Sequence, residues 1–152
     1  MLAALLALLA TPWAAYHERR ILRLGRQLTA SELADAAAAG VTCPARLRIL
    51  AVPAIPNPFG RAFRLLESHT SLCISRASGL TLRHGIFAVP PADQHRETLV
   101  HEFAHTRQYE SFRSLFAFLH RYIGQCLRQG YHQADFERDA RQVASRVCAK
   151  IP

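Results

Sequence analysis

Lysine is nearly absent from this 152-residue chain: Lys150 is the only one, so the 19 basic side chains are otherwise all arginine. They outnumber 11 acidic residues and leave a formal charge of +8. The arginines are scattered, with one dense group at Arg19, Arg20, Arg23 and Arg26. No stretch interleaves aromatic and basic side chains in the way a single-strand platform requires. The charge therefore describes a basic surface, a solvated helix face or a membrane flank, and no nucleic-acid partner is expected. Cysteine is scarce too. Cys43, Cys73, Cys126 and Cys148 include no CxxC pair and suggest no thiolate zinc site, and four are too few for a disulfide-built miniprotein. Their even number permits disulfides without arguing for them. Cys126 falls on a helical apolar stripe, the usual place of a small core residue.

A long apolar run is also missing. Residues 2–15, LAALLALLATPWAA, are almost wholly apolar, yet a crossing helix needs about 20 residues, and Pro12 interrupts the run. No charge precedes it, and Trp13 would occupy the −3 position if cleavage followed Ala15, which argues against a secretory signal. The following HERRILRLGRQ is basic and would stay cytoplasmic if the segment inserted. Two readings stand open: a buried or interfacial helix, or a membrane contact through residues 2–15. Otherwise localisation is expected to be cytoplasmic. No internal repeat or low-complexity linker appears, and the length suits one domain over 29–152 behind an N-terminal helical segment, 1–28.

Local signals place the elements. Thr29-Ala-Ser31-Glu opens a helix that runs to Gly40. Arg46–Val52 alternates polar and apolar as a strand does, and the prolines between Pro53 and Pro58 make a loop. Residues 79–89, turning at His84-Gly85, read as a hairpin ended by Pro90-Pro91. Asp93 is expected to cap a helix over about 94–110. Leu115, Phe118, Leu119, Tyr122, Ile123 and Cys126 repeat at helical spacing up to Gly130. Asp135 is expected to cap a last helix ending near Cys148.

The chemistry sits in His101-Glu102-Phe103-Ala104-His105, an HExxH motif. On a helix, two histidines four positions apart lie about 40° round the axis and one turn along, so both imidazoles can bind one metal. Glu102 lies about 100° from His101 and can reach a metal-activated water without being a ligand. Leu99, Val100, Phe103 and Ala104 form a core face of this helix. Thr98, His101, Glu102, His105 and Tyr109 form a second, polar stripe that a metal would explain. Catalytic zinc takes three protein ligands and keeps a fourth position open. Glu137, in the first turn of the last helix, is the best third ligand; Asp135 and Asp139 rank below it. His17, His69, His84 and His120 lack ligand spacing and are expected at the surface. Tyr109, Tyr131, His132 and His95 are weak candidates for hydrogen bonds to an oxyanion.

Together, HExxH and the Glu137-x-x-Ala140 turn resemble the gluzincin metallopeptidases, in which a second helix supplies a glutamate. The likeness to the compact minigluzincins covers about residues 79–148, and HEFAHTRQYE is similar to bacterial proteins with an HExxHxxQYE core. The resemblance implies an α+β fold: a compact zincin-like core, with a short sheet or hairpin packed on the HExxH helix and a following glutamate helix. It implies Zn2+ held by His101, His105 and Glu137, Glu102 as general base, and a peptide or protein substrate pairing with an edge strand. Many gluzincins carry aspartate four residues after the ligand glutamate, where this chain has Arg141. That leaves the partner orienting a ligand histidine open among Asp135, Asp139 and Glu110, and lets Arg141 pair with Glu137. A zinc-stabilised binding or scaffold module of weak or no activity is the alternative to a peptidase.

Overall fold

The computed structural model describes residues 1–56 and 77–149. Cys73, His69 and the later part of the proline-rich loop lie outside the described residues. Five α-helices and one four-stranded mixed sheet make an α+β fold among them. Helix α1 spans Leu2–Leu24, α2 Ala30–Ala38, α3 Arg96–Glu110, α4 Leu115–Gln129 and α5 Asp135–Cys148. The strands are β1 (Arg26–Gln27), β2 (Arg48–Ala51), β3 (Gly79–Leu82) and β4 (Gly85–Ala88).

The sheet order is β1-β2-β4-β3. Strand β2 runs parallel to β4 from the Arg48–Gly85 pair to the Ala51–Ala88 pair, and β3 returns antiparallel beside β4. This makes β3 an edge strand among the described residues. Every residue of β4 is buried. Phe87 faces a cluster shared by α1 and α4, whereas Ile86 and Ala88 join the cluster of α2, α3 and α5. That division follows from the two-residue period of a strand, which sends alternate side chains to opposite faces. Helix α1 lies close on the sheet: a Cβ at Gly85 would come within 2.9 Å of the Ile21 Cβ.

Capping chemistry sets several boundaries. The Thr29 hydroxyl accepts from the Glu32 backbone N–H while the Glu32 carboxylate accepts from the Thr29 N–H, a reciprocal pair that starts α2. Gly130, at φ 79°, ends α4 in a conformation that disfavours a side chain. Arg96 forks onto both Asp35 oxygens at 2.7 Å and ties the start of α3 to α2. Two expected caps are corrected. Asp93 lies in a short 3₁₀ turn, Ala92–Gln94, and α3 begins only after His95. Asp135 is already inside α5, after Ala134, and its carboxylate meets Gln129 instead. His17 and His84 are buried rather than at the surface, because α1 turns the first onto Phe87 of β4 and Glu18 and Glu110 flank the second. His120 is exposed, as expected. Cys43 is exposed, Cys126 is buried among apolar neighbours, and neither is bonded to Cys148.

The contact of α3 with α5 is the most extensive between any two elements. It is lined by Val100, Phe103, Ala104, Ala140, Val143 and Ala144, all within 2% of full burial. Small residues at Ala104, Ala140 and Ala144 let the backbones approach, which carries the start of α5 to the polar stripe of α3. Ala140→Leu should overpack this contact and cost about 1–3 kcal/mol in urea unfolding; an unchanged midpoint would show that the helices have slack.

Candidate metal centre

Two turns of α3 and the first turn of α5 supply the site. One turn of helix separates His101 from His105, and their Nε2 atoms lie 3.1 Å apart. The Glu137 carboxylate faces both: Oε2 is 3.3 Å from His101 Nε2, and Oε1 is 3.2 Å from His105 Nε2. Ligands about 2.0–2.1 Å from a tetrahedral zinc stand about 3.3 Å from one another. The three side chains already hold that spacing, so they form a group that could hold a metal ion. Glu137 is 1% exposed, whereas His101 is partly open to solvent. The open side of the triad faces a cleft of about 540 Å³ lined by Gly79, His95, Thr98, Glu102, Tyr131 and His132 among others.

The buried carboxylate is compensated from three sides. Burial alone would favour its neutral form, but bonds from His101, His105 and the Tyr122 hydroxyl at 2.7 Å hold Glu137 well below the usual carboxylate range. Burial of the Tyr122 phenol, reinforced by the Glu137 charge, keeps its proton on as a permanent donor. Burial also pulls His105 down, yet the bond and charge of Glu137 outweigh it and lift His105 to about 9. A proton and a divalent cation thus compete for the same His105 Nε2.

His105 is oriented through its other nitrogen. Nδ1 lies 2.9 Å from Gln108 Oε1, which can only accept, so a proton belongs on Nδ1, and loss of the Nε2 proton leaves that lone pair facing the triad. Gln108 is itself held: its amide donates to the Phe136 carbonyl at 2.9 Å and to Asp139 Oδ2 at 2.6 Å. Arg107 meets the same Asp139 oxygen. The partner of His105 is therefore the glutamine of HExxHxxQ, with Asp139 behind it. Glu110 instead accepts from the Thr42 N–H and lies beside His84, and Asp135 stays with Gln129. Arg141 donates to the His132 carbonyl and does not pair with Glu137.

Glu102 sits against the edge strand. Its Oε2 is 2.6 Å from the Thr81 hydroxyl, which is also 3.0 Å from the Glu102 main-chain oxygen. The other carboxylate oxygen lies over Gly79, where a Cβ would approach to 2.5 Å. Glycine is thus required at 79 for this placement. Behind Glu102 and His105 lies a narrower, mostly apolar pocket walled by Trp13 and Ala14 of α1 and by Phe118 and Tyr122 of α4. Of the weaker candidates, Tyr131, His132 and His95 line the cleft, whereas Tyr109 is 6% exposed and stacks on Phe118 in the core. Thr81 and Tyr122 carry no motif signal of their own, whereas Gln108 stands in the HExxHxxQ pattern, at i+3 from His105 on one helix face, a spacing that could have revealed its role.

No family model, curated protein or solved structure matches this chain. The reading therefore rests on the geometry. His101→Ala or Glu137→Ala should abolish stoichiometric divalent metal in metal analysis of the purified protein. Gln108→Leu should keep the fold and weaken metal binding by about 10- to 100-fold in chelator competition. Unchanged affinity would mean that Gln108 does not orient His105.

Proposed function

We propose that the protein is a zinc-dependent metallopeptidase, with zinc held by His101, His105 and Glu137 and with Glu102 as general base. The observation that carries this reading is a coincidence of parts around one cleft. A His/His/Glu group at tetrahedral spacing, a separate carboxylate held beside it, and a strand at the sheet edge among the described residues all border the same space. Two imidazoles and a carboxylate suit zinc among common divalent ions.

Zinc, when bound, would polarise the scissile carbonyl and lower the pKa of water in the open position. An extended peptide lies along β3, an edge strand among the described residues, by strand addition. Glu102 takes a proton from water as its oxygen attacks the carbonyl carbon. The carbon–nitrogen bond then breaks, and Glu102 returns that proton to the departing amine. Thr81 keeps the carboxylate from swinging into solvent, so it acts as a positioning residue. Tyr131 and His132 border the cleft where a developing oxyanion needs donors.

Glu102→Gln should retain one zinc per chain and lower peptide hydrolysis by at least about 100-fold. Normal turnover by this variant would remove Glu102 from the mechanism. Zinc bound in the wild type with no cleavage across a broad peptide library would leave the centre as a structural one. Thr81→Val should lower kcat with little change in KM, while Thr81→Ser restores it. If serine failed to rescue, the threonine would be serving packing alone.

A further inference from the structure

Helix α1 is built with two unlike faces. Inward it presents Leu6, Ala7, Ala10, Ala14 and Ile21 to the core. Outward it leaves Leu2, Leu5, Leu8 and Leu9 at 53%, 54%, 62% and 53% exposure, with Tyr16 at 64%. Leu5, Leu9, Pro12, Tyr16, Arg19 and Arg23 fall within about 80° of one another round the axis. One outward stripe is therefore apolar over its first two-thirds and cationic beyond. Arg19 and Arg23 are exposed, and among the described residues no carboxylate pairs with either. Glu18, the acidic residue of this helix, is buried and turned toward Arg83 and His84. More cation lies beside the apolar end: Ala3 borders a groove with Phe116, His120, Arg121 and Arg128 of α4.

Among the described residues no helix is long and apolar enough to cross a membrane. Leucines this exposed in a row nevertheless need cover. We propose that the outward face of α1 docks on an anionic lipid surface, with its leucines at the acyl boundary and Arg19, Arg23, Arg121 and Arg128 at the phosphates. Charge complementarity selects this occupant. In a symmetric pair of copies, a parallel arrangement sets Arg19 and Arg23 against their own counterparts. An antiparallel one sets leucines against arginines, and the formal charge of +8 on each chain adds repulsion. An anionic bilayer satisfies both halves of the stripe at once. The inner side of the same helix, at Ala10, Trp13 and Ala14, walls the pocket beside Glu102 and His105. Docking thus brings that pocket within about one helix diameter, 10–12 Å, of the lipid. This inference concerns binding and stands apart from the proposed hydrolysis.

The test is co-sedimentation of the full chain with phosphatidylcholine vesicles, with and without phosphatidylglycerol. The wild type should pellet with the anionic vesicles and release as salt is raised. Leu5→Glu/Leu9→Glu and Arg19→Ser/Arg23→Ser should each weaken binding by about tenfold or more, with unchanged circular dichroism since all four sites are exposed. A wild type that stays in the supernatant at low salt overturns the proposal, as does equal binding to neutral vesicles or binding that both double variants retain. Concentration-dependent dimers in sedimentation velocity, dissolved by Leu5→Glu/Leu9→Glu in a chain that ignores vesicles, would assign the face to a second copy instead.

Discussion

A carboxylate with 1% of its surface exposed must be charged to hold a cation, and the fold is arranged so that Glu137 can be. Burying an ion is costly unless partners replace the lost water. Three partners do so here, two from α3 and one from α4, and three features of the chain bring them to Glu137. The helical repeat stacks His101 over His105. The aromatic stripe of α4 turns the Tyr122 hydroxyl inward. The short side chains of Ala104, Ala140 and Ala144 bring α5 close enough for Glu137 to meet all three. Lengthening one of these alanines would part the group without touching any ligand.

The surroundings of the triad act on His105 by charge and by hydrogen bond: the Glu102 carboxylate and the bond to Gln108 both favour its protonated form. Gln108, a neutral group, spans His105 and Asp139, so the acid behind the histidine is felt through an amide. Arg107 partly offsets that acid in turn. A direct carboxylate would raise the basicity of His105 further; the amide orients the ring with a smaller electrostatic effect. On the opposite side, Glu102 is steadied by a hydroxyl of the edge strand and by the missing side chain of Gly79. The sheet, four short strands among the described residues, thus contributes placement to the site more than bulk.

Helix α1 joins two surfaces that would otherwise be unrelated. Its small inward residues let it lie against the sheet and α4 and form part of the wall behind Glu102 and His105. Its outward leucines and arginines are free of that duty. A helix of 23 residues is about 35 Å long, and its buried residues, from Leu6 to Ile21, occupy one face and leave the other outside. The unused face is where an interaction can be carried at no cost to the core.

Much of this was legible before any coordinates. The HExxH spacing, the glutamate followed by alanine, the Thr29 capping pair and the Gly130 stop depend on local geometry, and local geometry is written in residues a few positions apart. The helix starts were less legible: Asp93 and Asp135 have capping side chains but spend them elsewhere, because a neighbouring turn or Gln129 competes for the same groups. The burial of His17 and His84, Thr81 against Glu102 and Tyr122 on Glu137 were not legible at all. Each joins elements that the chain order separates, and no periodicity records which faces will meet. The sequence by itself determined which side chains could bind a metal and which way two of them point, since a helix has one repeat. Only the tertiary structure decided that Glu137 completes the group, that Gln108 orients His105, and that the leucines of α1 stay outside, since those outcomes depend on how closely whole elements pack.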